Sequence, residues 1–479
     1  MSVYGLMTFA QAIPLERGGS ARFEQRAAIA ALALVGSSFL FGGQSVEPML
    51  VQSIPQAVAI LAIGFLCVSA PGASLAPGAK PMLAIAGATL ALTLIQLIPL
   101  PYGIWSALPG REVAVATLQA ARIGTPWHAL SVDPGATIQS ALTLLPALAM
   151  LLTGLMLDRQ GLRQVILAIM LFAGVSLLLG WLQMLGGVRS TLYVYGDQHE
   201  RLSIGLFSNR NHQADALCLG VLMAGAMLYA LSPRIEILRQ RGVLIAGLVA
   251  VLFGLGVLST ASRMGAALFI LAAAVTIVIT LIDARVRKIT PRGLAAIATI
   301  ALLFAALGWA GLDQLLSRFQ TPIDLRASIW PDAWYLANGV WPVGTGFGTF
   351  DQVYPPIESL SGVTPLFINA AHQDYLQLAI EGGAPALLIL LAFLGWFALQ
   401  VVRLARRRGG MTGWFAATGI FVLLAHSAVD YPLRTEALST TLAALCVVLN
   451  MAAQQAAPRP PATQKRVLEP VLTTAGYSR

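Results

Sequence analysis

Charge is the scarcest property of this 479-residue chain: Asp, Glu, Lys and Arg together make up only 11% of it, against roughly 25% in an ordinary soluble domain. Such a chain is not built to be surrounded by water. Cysteine is nearly absent as well. Cys67, Cys218 and Cys446 all fall inside apolar runs, where they read as small packing residues rather than a disulfide framework or a zinc site. No period-2 alternation over about ten residues is present, which sets aside an outer-membrane barrel.

What fills the space is apolar: 57% of the residues are hydrophobic, gathered in runs of about 17 to 25, each long enough to cross a hydrocarbon core of about 30 Å as a helix. Their composition of Leu, Ala and Gly fits helices, so the expected fold class is all-α, a polytopic protein of about twelve spans. The expected spans are Ala27–Phe41, Ile54–Ala70, Pro81–Leu97, Thr137–Leu157, Leu162–Leu185, Asn211–Leu231, Val243–Leu258, Met264–Ile282, Gly293–Leu312, Ala384–Val402, Thr412–Val429 and Glu436–Met451. Residues 1–26 form a cytoplasmic N-terminal segment, 27–453 the membrane domain, and 454–479 a polar, proline-bearing cytoplasmic tail. The first run follows Arg17, Arg22 and Arg26 without a small-residue cleavage site, so it reads as an uncleaved anchor.

The net charge of +9 could suggest a nucleic-acid partner, but its distribution follows membrane topology. With both termini in the cytoplasm, about 21 of the 30 Lys and Arg residues fall on the inner side and about nine outside. The outer nine are Arg111, Arg122, Arg189, Arg201, Arg210, Arg263, Arg318, Arg326 and Arg434. Topology does not ask for them there. Three outer connections are long, 99–136, 186–210 and 313–383, and long connections usually carry function.

Several outer segments could do chemistry. In Gly205-Leu-Phe-Ser-Asn-Arg-Asn-His212, Asn209 or Asn211 can cap the following helix, and Arg210 adds a guanidinium suited to phosphate; a purely anchoring cap accounts for the same residues. Arg263, after Ser262, opens the next outer-facing helix, either snorkelling to headgroups or holding an anion. Arg326, Trp330, Trp334 and Asn338 recur every four residues, forming a short amphipathic segment expected along the membrane surface, with Arg326 towards lipid phosphates or a lipid-linked pyrophosphate. Gly344-Thr-Gly-Phe-Gly348 reads as a flexible turn, since no strand precedes it. His372 is the side chain suited to accept a proton near neutrality, although a lone loop histidine is also commonly structural. Gln373, Gln377 and Glu381 share one stripe, expected as a polar face at the membrane. Asp430 and Arg434 lie beyond another span, with Asp430–Arg434 or Asp430–Arg263 as plausible pairs.

Five blocks then resemble the O-antigen ligase and polymerase superfamily of membrane glycosyltransferases. They are Gly205-x-Phe207-x-Asn209-Arg-Asn-His212; Ser262-Arg263; Arg326 through Pro342-x-Gly344-x-Gly346; His372-x-x-Tyr375-Leu with Glu381-x-Gly383; and His426-Ser-x-x-Asp430-x-Pro-Leu-Arg434. Leu130-Ser-Val-Asp133-Pro adds weaker support. The resemblance implies transfer of a glycan from a polyprenyl-pyrophosphate carrier to a glycan or lipid A core acceptor, with inversion, on the periplasmic face of the inner membrane. It implies no metal, cofactor or nucleic acid, and membrane lipids as surroundings. Arg263 and Arg326 would clamp the pyrophosphate, with Arg210 supporting. Asn211, Tyr375 and Arg434 would contact substrate. His372 would act as base, and Asp430 would hold it or an arginine. A lipid-linked glycan flippase is the competing class. It should place charge at mid-membrane and show repeat symmetry, whereas here most spans are uncharged at their centres and no internal repeat is visible.

Overall fold

The computed structural model describes residues 21–44, 50–69, 76–187, 190–195, 202–283, 325–360, 367–407 and 410–455. The expected span Gly293–Leu312, His199, Arg189, Arg201 and Arg318, and most of both terminal segments lie outside these residues.

Twelve principal helices are described: α1 Ala21–Phe41, α2 Ser53–Ser69, α3 Ala79–Ile95, α4 Pro134–Gly154, α5 Arg159–Gly186, α6 Arg210–Leu231, α7 Glu236–Ser259, α8 Arg263–Ile282, α9 Leu325–Gly339, α10 Asp374–Arg406, α11 Thr412–Ser427 and α12 Glu436–Gln454. Eleven of the expected spans coincide with helices in this set; α9 is the twelfth helix and was expected as surface structure. Eight helices are long and apolar enough to cross a membrane: α2 with its preceding turn, α4 to α8, α10 and α12. Helices α3 and α11 are apolar but shorter. Helix α1 carries Glu24 and Arg26 near its start. Outward-facing Leu61, Ile270 and Leu388 are each more than 60% exposed, as expected where lipid rather than water covers the surface.

The only strands among the described residues form a two-residue antiparallel ladder, β1 Pro99–Leu100 against β2 His128–Ala129. It ties the ends of the α3–α4 connection together. Arg111, inside that connection and fully buried, donates to the carbonyls of Leu130 at 2.6 Å and Gly344 at 3.1 Å.

Helix α6 is the bundle's axis, packed against α5, α7, α8 and α11. Its small residues permit this. A Cβ on Gly220 would meet Phe253 at 2.3 Å and Ala173 at 2.8 Å, so glycine there allows α5 and α7 to close onto α6. A second central helix, α12, packs on α4 and α11. The helix starts at Asp133, Asn209, Ser262 and Thr435 are capped by their own side chains, each accepting a backbone N–H from the first turn. Satisfied ends let these helices begin abruptly and place the adjoining polar residues at one end of the bundle.

The stretch Gly344–Gly348 is not a flexible turn. Gly344, Gly346 and Gly348 all have φ between 81° and 111°, which an L side chain rarely adopts. Thr345 is fully buried, its N–H donating to Ile380 O at 3.0 Å, while Gly346 N–H reaches Glu381 O at 2.9 Å. The strand of chain is therefore locked against α10. Helix α10 itself breaks at Gly383, φ 59°, where a Cβ would lie 2.1 Å from Pro342 O. The expected span from Ala384 thus gains an N-terminal extension, Asp374–Gly382, set at a break.

Candidate active site

The chain from Ala370 to Asp374 is fastened on both sides. Trp330 Nε1 donates to Ala371 O at 3.1 Å, Ala371 N–H to Gln377 Oε1 at 3.0 Å, Gln373 Nε2 to Ala428 O at 3.1 Å and Asp374 N–H to Asp430 O at 3.1 Å. Between these anchors His372 sits at φ 49°. A left-handed non-glycine residue costs about 1–2 kcal/mol and persists where its surroundings over-determine it.

The result is to aim the imidazole at Asp430. His372 Nδ1 lies 3.5 Å from Asp430 Oδ1, with the histidine 28% exposed and the carboxylate fully buried. Arg326 Nη2 approaches Asp430 Oδ2 at 3.3 Å, Asn211 Nδ2 donates to the same oxygen, and Tyr431 N–H donates to Oδ1 at 3.0 Å. Burial alone would raise the Asp430 carboxyl, but the hydrogen bond with His372 and the charges of the neighbouring histidines outweigh it and hold Asp430 well below the usual carboxylate range. One ionised carboxylate therefore orients a base candidate, an arginine and an amide arriving from three separate parts of the chain.

Arg210 and Arg263 are the first residues of α6 and α8. Cys218 Sγ on α6 contacts Gly265 O on α8 at 3.7 Å, and Asn211 already touches Asp430. Both arginines consequently emerge at the end of the bundle that carries Asp430. The structure brings His372, Asp430, Arg326 and Asn211 into contact and sets Arg210 and Arg263 at the adjoining helix starts.

Arg434 and Tyr375 belong elsewhere. Arg434 does not pair with Asp430. Its Nη2 donates to Glu381 Oε2 at 2.8 Å and its Nε lies 3.7 Å from Asp374 Oδ1. Burial would lower the Arg434 guanidinium, and the two carboxylates more than reverse that, raising it. Tyr375 donates to Leu424 O. Both line a cavity of about 840 Å³ bounded by α3, α4, α10 and α12. None of Arg210, Arg263, Arg326, His372 and Asp430 lines it.

Two further expectations are corrected. Gln377 and Glu381 do not face the membrane; they are 2% and 1% exposed and hydrogen-bonded to each other at 2.9 Å, because Arg434 supplies an internal partner. Trp330 turns inward to Ala371 while Trp334 stays 64% exposed, since α9 buries Ile329, Ala333, Leu336 and Ala337 against Leu376 and Ile380 of α10.

Sequence reading missed the pair His426 Nδ1–Asp215 Oδ1, 2.6 Å apart and wholly buried, and Gln56 Nε2 donating to Glu436 Oε1 at 2.8 Å. An ionisable residue within each of two apolar runs is the signal that could have found the first. His212, also fully buried, meets Tyr431 edge to face at 5.2 Å, and His372 meets the same ring at 4.9 Å. Among the described residues no group of three or more His, Cys, Asp or Glu is placed to share one ion.

No curated protein matches the chain. Residues 248–391 match the family model described as O-Antigen ligase. That stretch holds Arg263, Arg326, His372 and Tyr375, three of which meet or approach Asp430 or a neighbouring helix start. The match covers under a third of the chain and shows a likeness to the O-antigen ligase family, in a protein with eight helices long and apolar enough to cross a membrane.

Proposed function

We propose that the protein transfers a glycan from a polyprenyl-pyrophosphate carrier to an acceptor hydroxyl, on the periplasmic face of the inner membrane, with both termini cytoplasmic. The observation that carries this reading is the junction of His372, Arg326 and Asn211 on buried Asp430. It joins a proton acceptor to a pyrophosphate-binding cation through one fixed carboxylate.

In the step, the acceptor oxygen attacks the anomeric carbon and its proton passes to His372. The bond from that carbon to the pyrophosphate oxygen breaks on the opposite face, inverting the centre. The electron pair leaves on the pyrophosphate, whose growing charge is met by Arg326, Arg263 and Arg210. Forked guanidinium bonds are strongest where charge develops. Asp430 keeps the His372 ring turned towards the acceptor and stabilises the imidazolium formed.

The test gives purified protein a lipid-linked repeat unit, once alone and once with lipid A core, and separates the products. Growth of the chain on the carrier identifies a polymerase; appearance on the core identifies a ligase. Arg326→Lys should lose most turnover while expressing normally, because lysine keeps the charge without the fork. Absence of transfer from any lipid-linked glycan overturns the reading, in favour of a flippase if the same lipid instead crosses the bilayer.

A further inference from the structure

The contact of Asn211 with Asp430 has a companion one turn deeper along α6. There His426 Nδ1 lies 2.6 Å from Asp215 Oδ1, with both side chains fully buried. Residues 211 and 215 are four apart, as are 426 and 430, so each pair shares one face of its segment. The contacts cross as 211 with 430 and 215 with 426, the two rungs of an antiparallel ladder between α6 and the end of α11. Beyond the rungs the interface is apolar: a Cβ on Gly419 would meet Leu219 at 3.1 Å.

The deeper rung is tied to the upper one through the backbone. Val429 N–H and Asp430 N–H both donate to His426 O at 2.9 Å, so a rotation at His426 carries Asp430 with it. Among the described residues His426 Nε2 and Asp215 Oδ2 have no hydrogen-bond partner, which leaves the 2.6 Å contact to fix the ring. On the opposite flank, Asp374 N–H donates to Asp430 O and Ser427 Oγ donates to Asp374 Oδ2 at 2.7 Å. Those bonds fasten the turn to α10; only the ladder fastens it to α6 by polar contacts.

Holding the helices together does not ask for ionisable groups here. Two apolar side chains of similar volume would join them as well, because desolvation of the polar pair offsets its attraction. An ionisable pair within two apolar runs points to function instead. Apolar contacts tolerate sliding and rotation, whereas a hydrogen bond of fixed length and direction does not.

We propose that Asp215 and His426 are positioning residues for glycan transfer: they hold Asp430, through the His426 backbone, at the depth and rotation at which it meets both His372 and Arg326. The effect on turnover rests on the glycan-transfer reading; the positioning of Asp430 does not.

Full-length protein in nanodiscs is assayed for single-turnover glycan transfer per folded molecule. Asp215→Ala and His426→Ala should each slow it by about 10²-fold, the cost of misplacing a reacting group by about 1 Å. In an Asp430→Asn background the same substitutions should slow it further by less than ten-fold, because the group they position has already lost its charge. If either variant fails to fold, Asp215→Glu takes its place under the same criterion, since it keeps the carboxylate but lengthens the rung by one methylene. A loss of less than ten-fold in the wild-type background leaves the pair a packing role, and a loss of ten-fold or more in both backgrounds means that it acts elsewhere than on Asp430. Either result overturns the proposal. Where wild-type protein transfers no glycan, the glycan-transfer reading falls, and the geometry is read by magnetic resonance of labelled histidine nitrogens. The His372 Nδ1 signal, assigned by its loss in His372→Gln, should move in Asp215→Ala as in Asp430→Asn. A signal that stays in place in Asp215→Ala refutes the positioning role by itself.

Discussion

Asp430 and Glu381 are both buried carboxylates that hold an arginine, and they flank the same stretch of chain, yet they are surrounded differently. Glu381 is closed: Gln377 and Arg434 occupy its oxygens and the Gly344–Gly348 crossing covers its backbone. Asp430 is the inner end of an arrangement whose outer members, His372 at 28% and Arg326 at 21% exposure, remain partly open. The first arrangement ties α10 to the turn before α12, with its Arg434, 25% exposed, on the cavity wall. The second can meet a substrate, and it stores backbone strain at the residue that would react. Similar charge content therefore serves two ends, and the strained histidine at Asp430, rather than charge or access, tells them apart.

The comparison is broken most severely at Asp430. Asp430→Asn retains the size of the side chain and removes the charge that orients His372 and Arg326, so turnover should fall roughly 10³- to 10⁴-fold. Single-turnover transfer, with donor binding measured separately, reads the effect. A loss of less than ten-fold would place Asp430 with Glu381 as a structural group.

His372→Gly sharpens the distinction between strain and chemistry. Glycine accepts φ 49° without penalty, which offsets its larger unfolded-state entropy, so stability should change by no more than about 1 kcal/mol. Loss of base catalysis should still slow transfer by about 10²- to 10⁴-fold with donor affinity retained. Wild-type turnover, or failure of donor binding alone, would refute the role of base.

Legibility in the sequence followed the range of the forces involved. Eleven apolar helices could be placed because apolar length is a local property, and the cap of α6 could be narrowed to Asn209 or Asn211 because capping acts within three residues. His372, Arg326 and Asp430 were found through family blocks, not through spacing; their contacts join positions over a hundred residues apart. Partners guessed across the chain fared unevenly: Asp430 meets both His372 and Arg326. Arg434 went to Glu381 rather than Asp430. The polar stripe of Gln377 and Glu381 was assigned to the membrane surface because nothing local reveals that an arginine from beyond α11 will meet it. The glycines at 344, 346 and 348 looked permissive of motion, whereas packing uses them for close approach, to Glu381, Ser131 and Ser140 respectively.

At Glu381 the expected effect reverses in kind. Glu381→Gln leaves one hydrogen bond to Gln377 possible and removes the charge facing Arg434, which Asp374 only partly replaces at 3.7 Å. Stability should fall by about 1–3 kcal/mol, read as a lower melting temperature in detergent. Transfer per folded molecule should fall far less than in Asp430→Asn. If the two variants lose turnover equally without any change in melting, the closed cluster is not merely structural.

The smallest effect is expected on the cavity wall, at Asp133, whose carboxylate accepts from Gly135 N–H at 2.7 Å and Ala136 N–H at 3.1 Å at the start of α4. Burial pushes this group up, but the bonds from Gln352 and from these two amides prevail and hold it below its ordinary value. A carboxylate with a depressed folded pKa stabilises the protein above its unfolded value of about 3.9, and the contribution disappears as pH falls through the folded pKa. Asp133→Ala should therefore cost about 1 kcal/mol at neutral pH. The gap in melting temperature between wild type and variant should stay constant from pH 8 to about 5 and narrow only below about 4. A gap that closes already near pH 6 would mean that Asp133 is not held ionised.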